Sequence, residues 1–197
     1  GASTVWEIEH AVNELIEKGA SDVGLLHCML NYPTDYENAG LSMIPNLKRL
    51  FPNCIIGYSD HTFPEPNMLT LTTAVTLGAS IIEKHFTLDK KMEGPDHILS
   101  MLPEEFSEMR ERLNIVEKSL GDGIKQPSSS EVASIIRFRK TMYAKNDIEK
   151  GAIISESDII YTAPAYGIYA KYEDIVFGKT ANQNISKDTP ITWDVLS

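Results

Sequence analysis

Apolar residues follow one rhythm over the first 120 or so positions of the chain and another beyond them. Val5, Ile8, Val12, Leu15 and Ile16 share a helical face, behind a Thr4/Glu7 capping box and ahead of Gly19. The unbroken apolar run Val23–Leu30 predicts a strand covered on both faces. Leu41, Ile44, Leu47 and Leu50 mark a second helix, Cys54–Tyr58 a second strand, Asn67–Leu77 a third helix and Ser80–Phe86 a third strand. Phe106, Met109, Leu113, Val116 and Leu120 then step by threes and fours along a fourth helix, which opens at Pro103 and stops before Gly121.

Strands recurring at roughly 30 residues are spaced as in successive βαβ steps, so the pattern predicts a parallel α/β fold. No glycine-rich phosphate loop follows any strand, and polar groups sit at several strand ends instead of one switch point, which favours a barrel over a doubly wound sheet. Three strands cannot close a barrel, and the first helix has no strand before it. The expectation is the C-terminal portion of a (β/α)8 barrel over residues 1–121. Residues 122–136, which begin DGIKQPSSS, are linker-like in composition. Residues 137–197 form short β-like runs and contain an internal echo, with Asp147–Ser155 resembling Asn184–Thr192. That echo predicts a small, mostly-β module whose halves pack on each other.

Two strand ends carry the chemistry. The run Ile81-Ile82 breaks into Glu83, Lys84 and His85, and a charged loop leads through Gly94-Pro95 to Asp96-His97. One unit earlier, Ile55-Ile56-Gly57-Tyr58 ends in Ser59, Asp60, His61 and Thr62. Histidines on neighbouring strand tips with an acid on the following loop read first as a metal site. The plain alternative is a pair of hydrogen-bonded strand-end histidines and a turn aspartate. Ser59 lies two residues before His61 and faces the same way on an extended segment, whereas Lys84 alternates with His85 and points away.

The net charge of −10 argues against a nucleic-acid partner, and an anionic substrate would need a local positive group or a cation. No apolar run approaches the roughly 20 residues that cross a bilayer. Two cysteines, Cys28 and Cys54, beside apolar runs read as free thiols, which makes the cytoplasm the expected compartment.

At this point the motifs resemble a family. His27-Cys28 with Tyr32-Pro33-Thr34, Gly57–Thr62, Gly78–Thr87 and Gly94–His97 are similar, in order, to segments of the sialic acid synthases, which include the N-acetylneuraminate, legionaminic and pseudaminic acid synthases. The stretch from Arg137 to Val195 resembles their C-terminal antifreeze-like (SAF) domain. The resemblance implies condensation of phosphoenolpyruvate with an N-acetylmannosamine-type sugar to a nonulosonic acid and phosphate, assisted by a divalent metal, Mn2+ or Mg2+. It implies His61 and His85 as metal ligands and Asp96 as the acid facing sugar and metal. Holding a sugar hydroxyl, assisting proton transfer and joining the metal shell are all open to Asp96. It further implies Ser59 at the phosphate-bearing substrate, Tyr32 and, less directly, Asn31 at the sugar, and a domain-swapped homodimer.

Several positions depart from the family pattern. Leu30 and Met29 replace smaller or polar residues, and Ala163 stands where bacterial members often carry an arginine that reaches the sugar's acetamido group. The family's phosphate-binding lysines have no counterpart in this chain, so the 197-residue polypeptide is expected to be inactive alone. The competing reading is a non-catalytic carbohydrate-binding or assembly module on the same fold.

Overall fold

In the computed structural model, which describes every residue from Gly1 to Ser197, the chain divides between Ile124 and Lys125 into two units. The first begins with α1 (Val5–Glu17). The Thr4 hydroxyl accepts from the Glu7 amide, and the Glu7 carboxylate accepts from the Thr4 amide. Strands β1 (Gly24–Cys28), β2 (Ile55–Asp60) and β3 (Ile81–Lys84) form one parallel sheet in sequence order, with α2 (Met43–Leu50) and α3 (Leu69–Thr76) as the crossovers. Helix α4 (Pro103–Leu120) follows, with proline in its first turn and Glu105 accepting from the Leu102 amide at its start.

The period-2 alternation of the strands divides the sheet into two unlike faces. Ile56, Tyr58 and Ile82 point to the side where Ile44 of α2, Leu71 and Ala74 of α3 and Met109 and Leu113 of α4 build the core. The opposite face has no such layer, and Ile55 and Ile81 remain 45% and 38% exposed. Within these 197 residues β1 is covered on one face only. His27 alone is fully buried there, and Gly24 is exposed. Gly57 is required on the open face, because a Cβ there would come within 2.7 Å of the Ile81 carbonyl oxygen on the neighbouring strand.

The second unit, Lys125–Ser197, starts with a helix that composition hides. Ser128 and Glu131 form a capping box ahead of α5 (Val132–Phe138), which occupies part of the stretch expected to be linker. The serine run reads as flexible, yet Ser-x-x-Glu before apolar residues is a helix-start signal. Strands β4 (Thr141–Ala144) and β5 (Ile159–Thr162) pair antiparallel, and the short helix α6 (Glu173–Val176) follows. The core is apolar and dense, with Met142, Ala144, Val176, Ala181 and Ile191 all fully buried.

The internal echo is a structural pseudo-symmetry. Ile148 and Ile185 exchange backbone hydrogen bonds of 2.8 and 2.9 Å. Asp147 Oδ1 accepts from the Lys187 amide at 2.7 Å, and Asn184 Oδ1 accepts from the Lys150 amide at 2.8 Å. Each copy therefore closes the other's turn with the same side-chain position, and the halves do pack on each other.

Candidate functional site

The open face of the sheet gathers the polar residues at its carboxyl end. Register places Cys28 opposite Ser59 and Ser59 opposite Glu83 across the three strands. Two residues further along β2 and β3, on the same face, come His61 and His85. Their ring centroids are 5.1 Å apart and nearly perpendicular, at 83°. Tyr32 lies over His61 at 4.1 Å and meets His85 edge-on at 5.7 Å. The Asp96 carboxylate comes within 3.7 Å of His85 Nδ1, longer than a hydrogen bond. Four residues far apart in sequence thus converge at one mouth.

Each is held by its own local structure. His61 is buried and donates from Nδ1 to the Met29 carbonyl at 2.7 Å, with the Cys28 sulfur 3.8 Å away. A carbonyl can only accept, so Nδ1 carries the proton of this hydrogen bond and Nε2 is the ring nitrogen left for another partner. His85 carries the main chain across to the next element, its carbonyl accepting from the Met101 amide at 2.8 Å. The loop from His85 to Met101 is closed by Thr87 Oγ1 and His97 Nδ1 at 2.7 Å and by Ser100 Oγ donating to the Asp96 carbonyl at 2.7 Å, which aims Asp96 back at the mouth. His97 braces the loop. Asn31 is exposed, and its carbonyl accepts from Thr34 Oγ1 at 2.8 Å. Besides the imidazole pair, no group of three or more histidines, cysteines, aspartates or glutamates converges as a metal cluster. Of the two imidazoles, His61 has its Nδ1 engaged by the Met29 carbonyl, and the Asp96 carboxylate lies beside His85.

Ser59 does not present a free hydroxyl. It is buried and donates to Glu83 Oε1 at 2.6 Å. An incoming phosphate oxygen would have to take that hydrogen bond from a carboxylate of its own charge. His27 is the counter-example to His61. It points to the helix-covered face, is held by the Ala39 carbonyl at 2.8 Å and stacks on Tyr58 at 5.7 Å. Register separates the structural histidine from the two at the mouth.

Several contributors were not legible in the sequence. The Met29 carbonyl partners a histidine 32 positions away. The Ser59–Glu83 pair is 24 positions apart. Beneath the histidines, Asp60 and Lys84 form an ion pair of 2.8 Å with side chains 2% and 0% exposed. No periodicity in a single strand announces any of these.

The chain thus joins parallel βα units, with two imidazoles at their strand tips, to a small β module that follows in sequence. The model described as the NeuB family matches residues 1–125 and the SAF domain matches 139–197. The chain belongs to the NeuB family. It is 45% identical over its whole length to an uncharacterized protein of Methanocaldococcus jannaschii, covering 57% of that protein. It is 42% identical to N,N'-diacetyllegionaminic acid synthase of Campylobacter jejuni, over 95% of this chain and 56% of the synthase. Among solved structures, the N-acetylneuraminic acid synthetase of Leptospira borgpetersenii in complex with citrate is 37% identical over 68% of this chain and 46% of its own, with a TM-score of 0.62. A spore coat polysaccharide biosynthesis protein E of Chromobacterium violaceum shares the fold at a TM-score of 0.80 and 24% identity. The chain spans little more than half the length of the curated relatives it matches.

Proposed function

We propose that the protein containing this chain condenses phosphoenolpyruvate with an N-acetylmannosamine-type sugar, and that this chain supplies the cation-binding half of the site. The observation that carries the reading is the convergence of His61, His85, Tyr32 and Asp96 at the open end of the sheet. The relatives named as legionaminic, pseudaminic and N-acetylneuraminate-9-phosphate synthases support it.

The donor set fits a divalent cation of the Mn2+ type. Two imidazoles, one with its Nδ1 engaged by a backbone carbonyl, leave positions open for water and substrate oxygen. Such a cation would supply Lewis acidity toward the sugar's aldehyde oxygen. Asp96, nearly half exposed and beside His85, is placed to hold a sugar hydroxyl or move its proton. Tyr32 offers an aromatic wall for the sugar. In the overall balance the enol carbon bonds to the aldehyde carbon, water adds at the adjacent carbon, and the bond from that carbon to the phosphate ester oxygen breaks. The aldehyde oxygen takes a proton, and inorganic phosphate leaves. The antifreeze-like module closing over a partner copy belongs to the same proposal.

The Ser59–Glu83 hydrogen bond favours a second reading, a carbohydrate-binding module that no longer receives a phosphate. One experiment separates them. Isothermal titration of Mn2+ into the chain and into His61→Ala should show affinity lost by at least tenfold in the variant. Phosphate release from phosphoenolpyruvate plus sugar in the protein containing this chain should vanish with it. Mn2+ binding indifferent to His61→Ala, with no phosphate release, would establish the binding module. The 197-residue chain alone is expected to bind Mn2+ without releasing phosphate.

A further inference from the structure

The buried polar network beneath the two histidines has no role in the chemistry above. Asp60 and Lys84 are register partners on β2 and β3, immediately before His61 and His85, and point to the opposite, helix-covered face. Asp60 Oδ1 accepts from the Tyr58 hydroxyl at 2.9 Å and the Thr62 amide at 3.0 Å, and Oδ2 accepts from Thr62 Oγ1 at 3.1 Å. Lys84 Nζ lies 2.8 Å from Asp60 Oδ2 and donates to the Thr62 carbonyl. Both residues flanking His61 in sequence are therefore locked, and the lock is tied to the residue preceding His85. Burial pushes the Lys84 ammonium below its usual range, against the pull of Asp60, and the same burial together with Asp60 pushes the Tyr58 hydroxyl up. Burying an ion pair is costly compared with apolar residues of similar size. A strand needs no such pair merely to pack.

We propose that the Asp60–Lys84–Thr62 network is a positioning device that fixes the backbone on either side of His61, so that Nδ1 meets the Met29 carbonyl and the ring stands 5.1 Å from that of His85. These are positioning residues, since none of them faces the mouth. The consequence for metal affinity rests on the reading given above; the consequence for the His61 tautomer does not.

The test uses Asp60→Asn combined with Lys84→Met, which removes both charges and leaves neither unpaired, so that stability is largely recovered relative to Lys84→Met alone. In the metal-free protein, nitrogen NMR shifts of the His61 ring should show the single Nδ1–H tautomer in the parent and a mixture in the double variant. Mn2+ affinity should fall about 10- to 100-fold, as on loss of groups that orient a ligand. Thr62→Val, which deletes the hydroxyl that Asp60 accepts from and that also lies 3.4 Å from Thr70 Oγ1, should give the same tautomer mixture in smaller degree and serves if the double variant does not fold. A folded variant that retains the single tautomer overturns the inference, whatever the metal does. A mixed tautomer with Mn2+ binding unaffected by His61→Ala keeps the positioning device and removes only the metal reading.

Discussion

Within these 197 residues the two units are closed to different degrees. The antifreeze-like unit closes on itself. Its halves trade backbone and side-chain hydrogen bonds, and its core residues Met142, Ala144, Val176, Ala181 and Ile191 are completely buried. The α/β unit is one-sided, with a helix layer on one face of its sheet and Ile55 and Ile81 exposed on the other. Helix α1 buries only Val12, and Trp6 remains 72% exposed. The chemistry-bearing side chains all lie on the less covered face, while the buried charges Asp60 and Lys84 lie in the core. The site side chains are held by polar contacts on and beneath the sheet, whereas the second unit is held by an enclosed apolar core.

Breaking each unit by its own kind of contact tests this contrast. Lys84→Met strands a buried carboxylate and should destabilise the α/β unit by about 3–5 kcal/mol. It should lower the first of two thermal transitions seen by calorimetry and leave the second in place. A single merged transition moving as one would show that the units are energetically fused. Gly167→Ala makes the complementary break. Its Cβ would collide with the Met142 carbonyl on β4, and the second transition alone should fall, by about 1–3 kcal/mol as for overpacking elsewhere.

The pseudo-symmetry supplies a smaller test. Asp147→Ala and Asn184→Ala each remove one of two equivalent turn-closing hydrogen bonds. Each should cost about 0.5–1.5 kcal/mol in denaturant melts, and the two costs should be alike. A large difference between them would mean that the echo in sequence is not an echo in energy.

The smallest effect is a titration. Burial and the Glu173 carboxylate, which accepts from Tyr161 at 2.7 Å, push the Tyr161 hydroxyl up to about 12. A group whose pKa is raised on folding contributes stability that is complete below its unfolded value, about 10, and is lost as the pH rises through the folded value. The second unit should therefore weaken between about pH 10 and 12. Glu173→Gln should move the phenolate absorbance of Tyr161 back toward its ordinary range and reduce that slope. A Tyr161 that titrates normally in the parent would show that the contact is not held in solution.

The order of the α/β unit was readable from residue spacing alone. Period and capping placed every α-helix and strand of residues 1–120 to within a few positions, because amphipathic faces and caps are local properties, but not the 3-10 turns Tyr36–Asn38 and His97–Leu99. The second helix boundary of that kind, the Ser128/Glu131 box before α5, is just as local and was obscured by the surrounding serines. The pairing of His61 with His85 was legible from strand-end position and parity. The partner of His61 was not, since a backbone carbonyl 32 residues away carries no sequence signature. Nor was the engagement of Ser59 by Glu83, which depends on register between two strands.

By itself the sequence determined which residues form helices, which form strands, and that polar groups end two of the strands, since hydrophobic period, caps and turns act over a few residues. Tertiary structure decided which of those polar groups share a face. Parallel register put Ser59 opposite Glu83 and Asp60 opposite Lys84. One pair therefore came to the mouth and the other went into the core, where a charge persists only with its partner beside it.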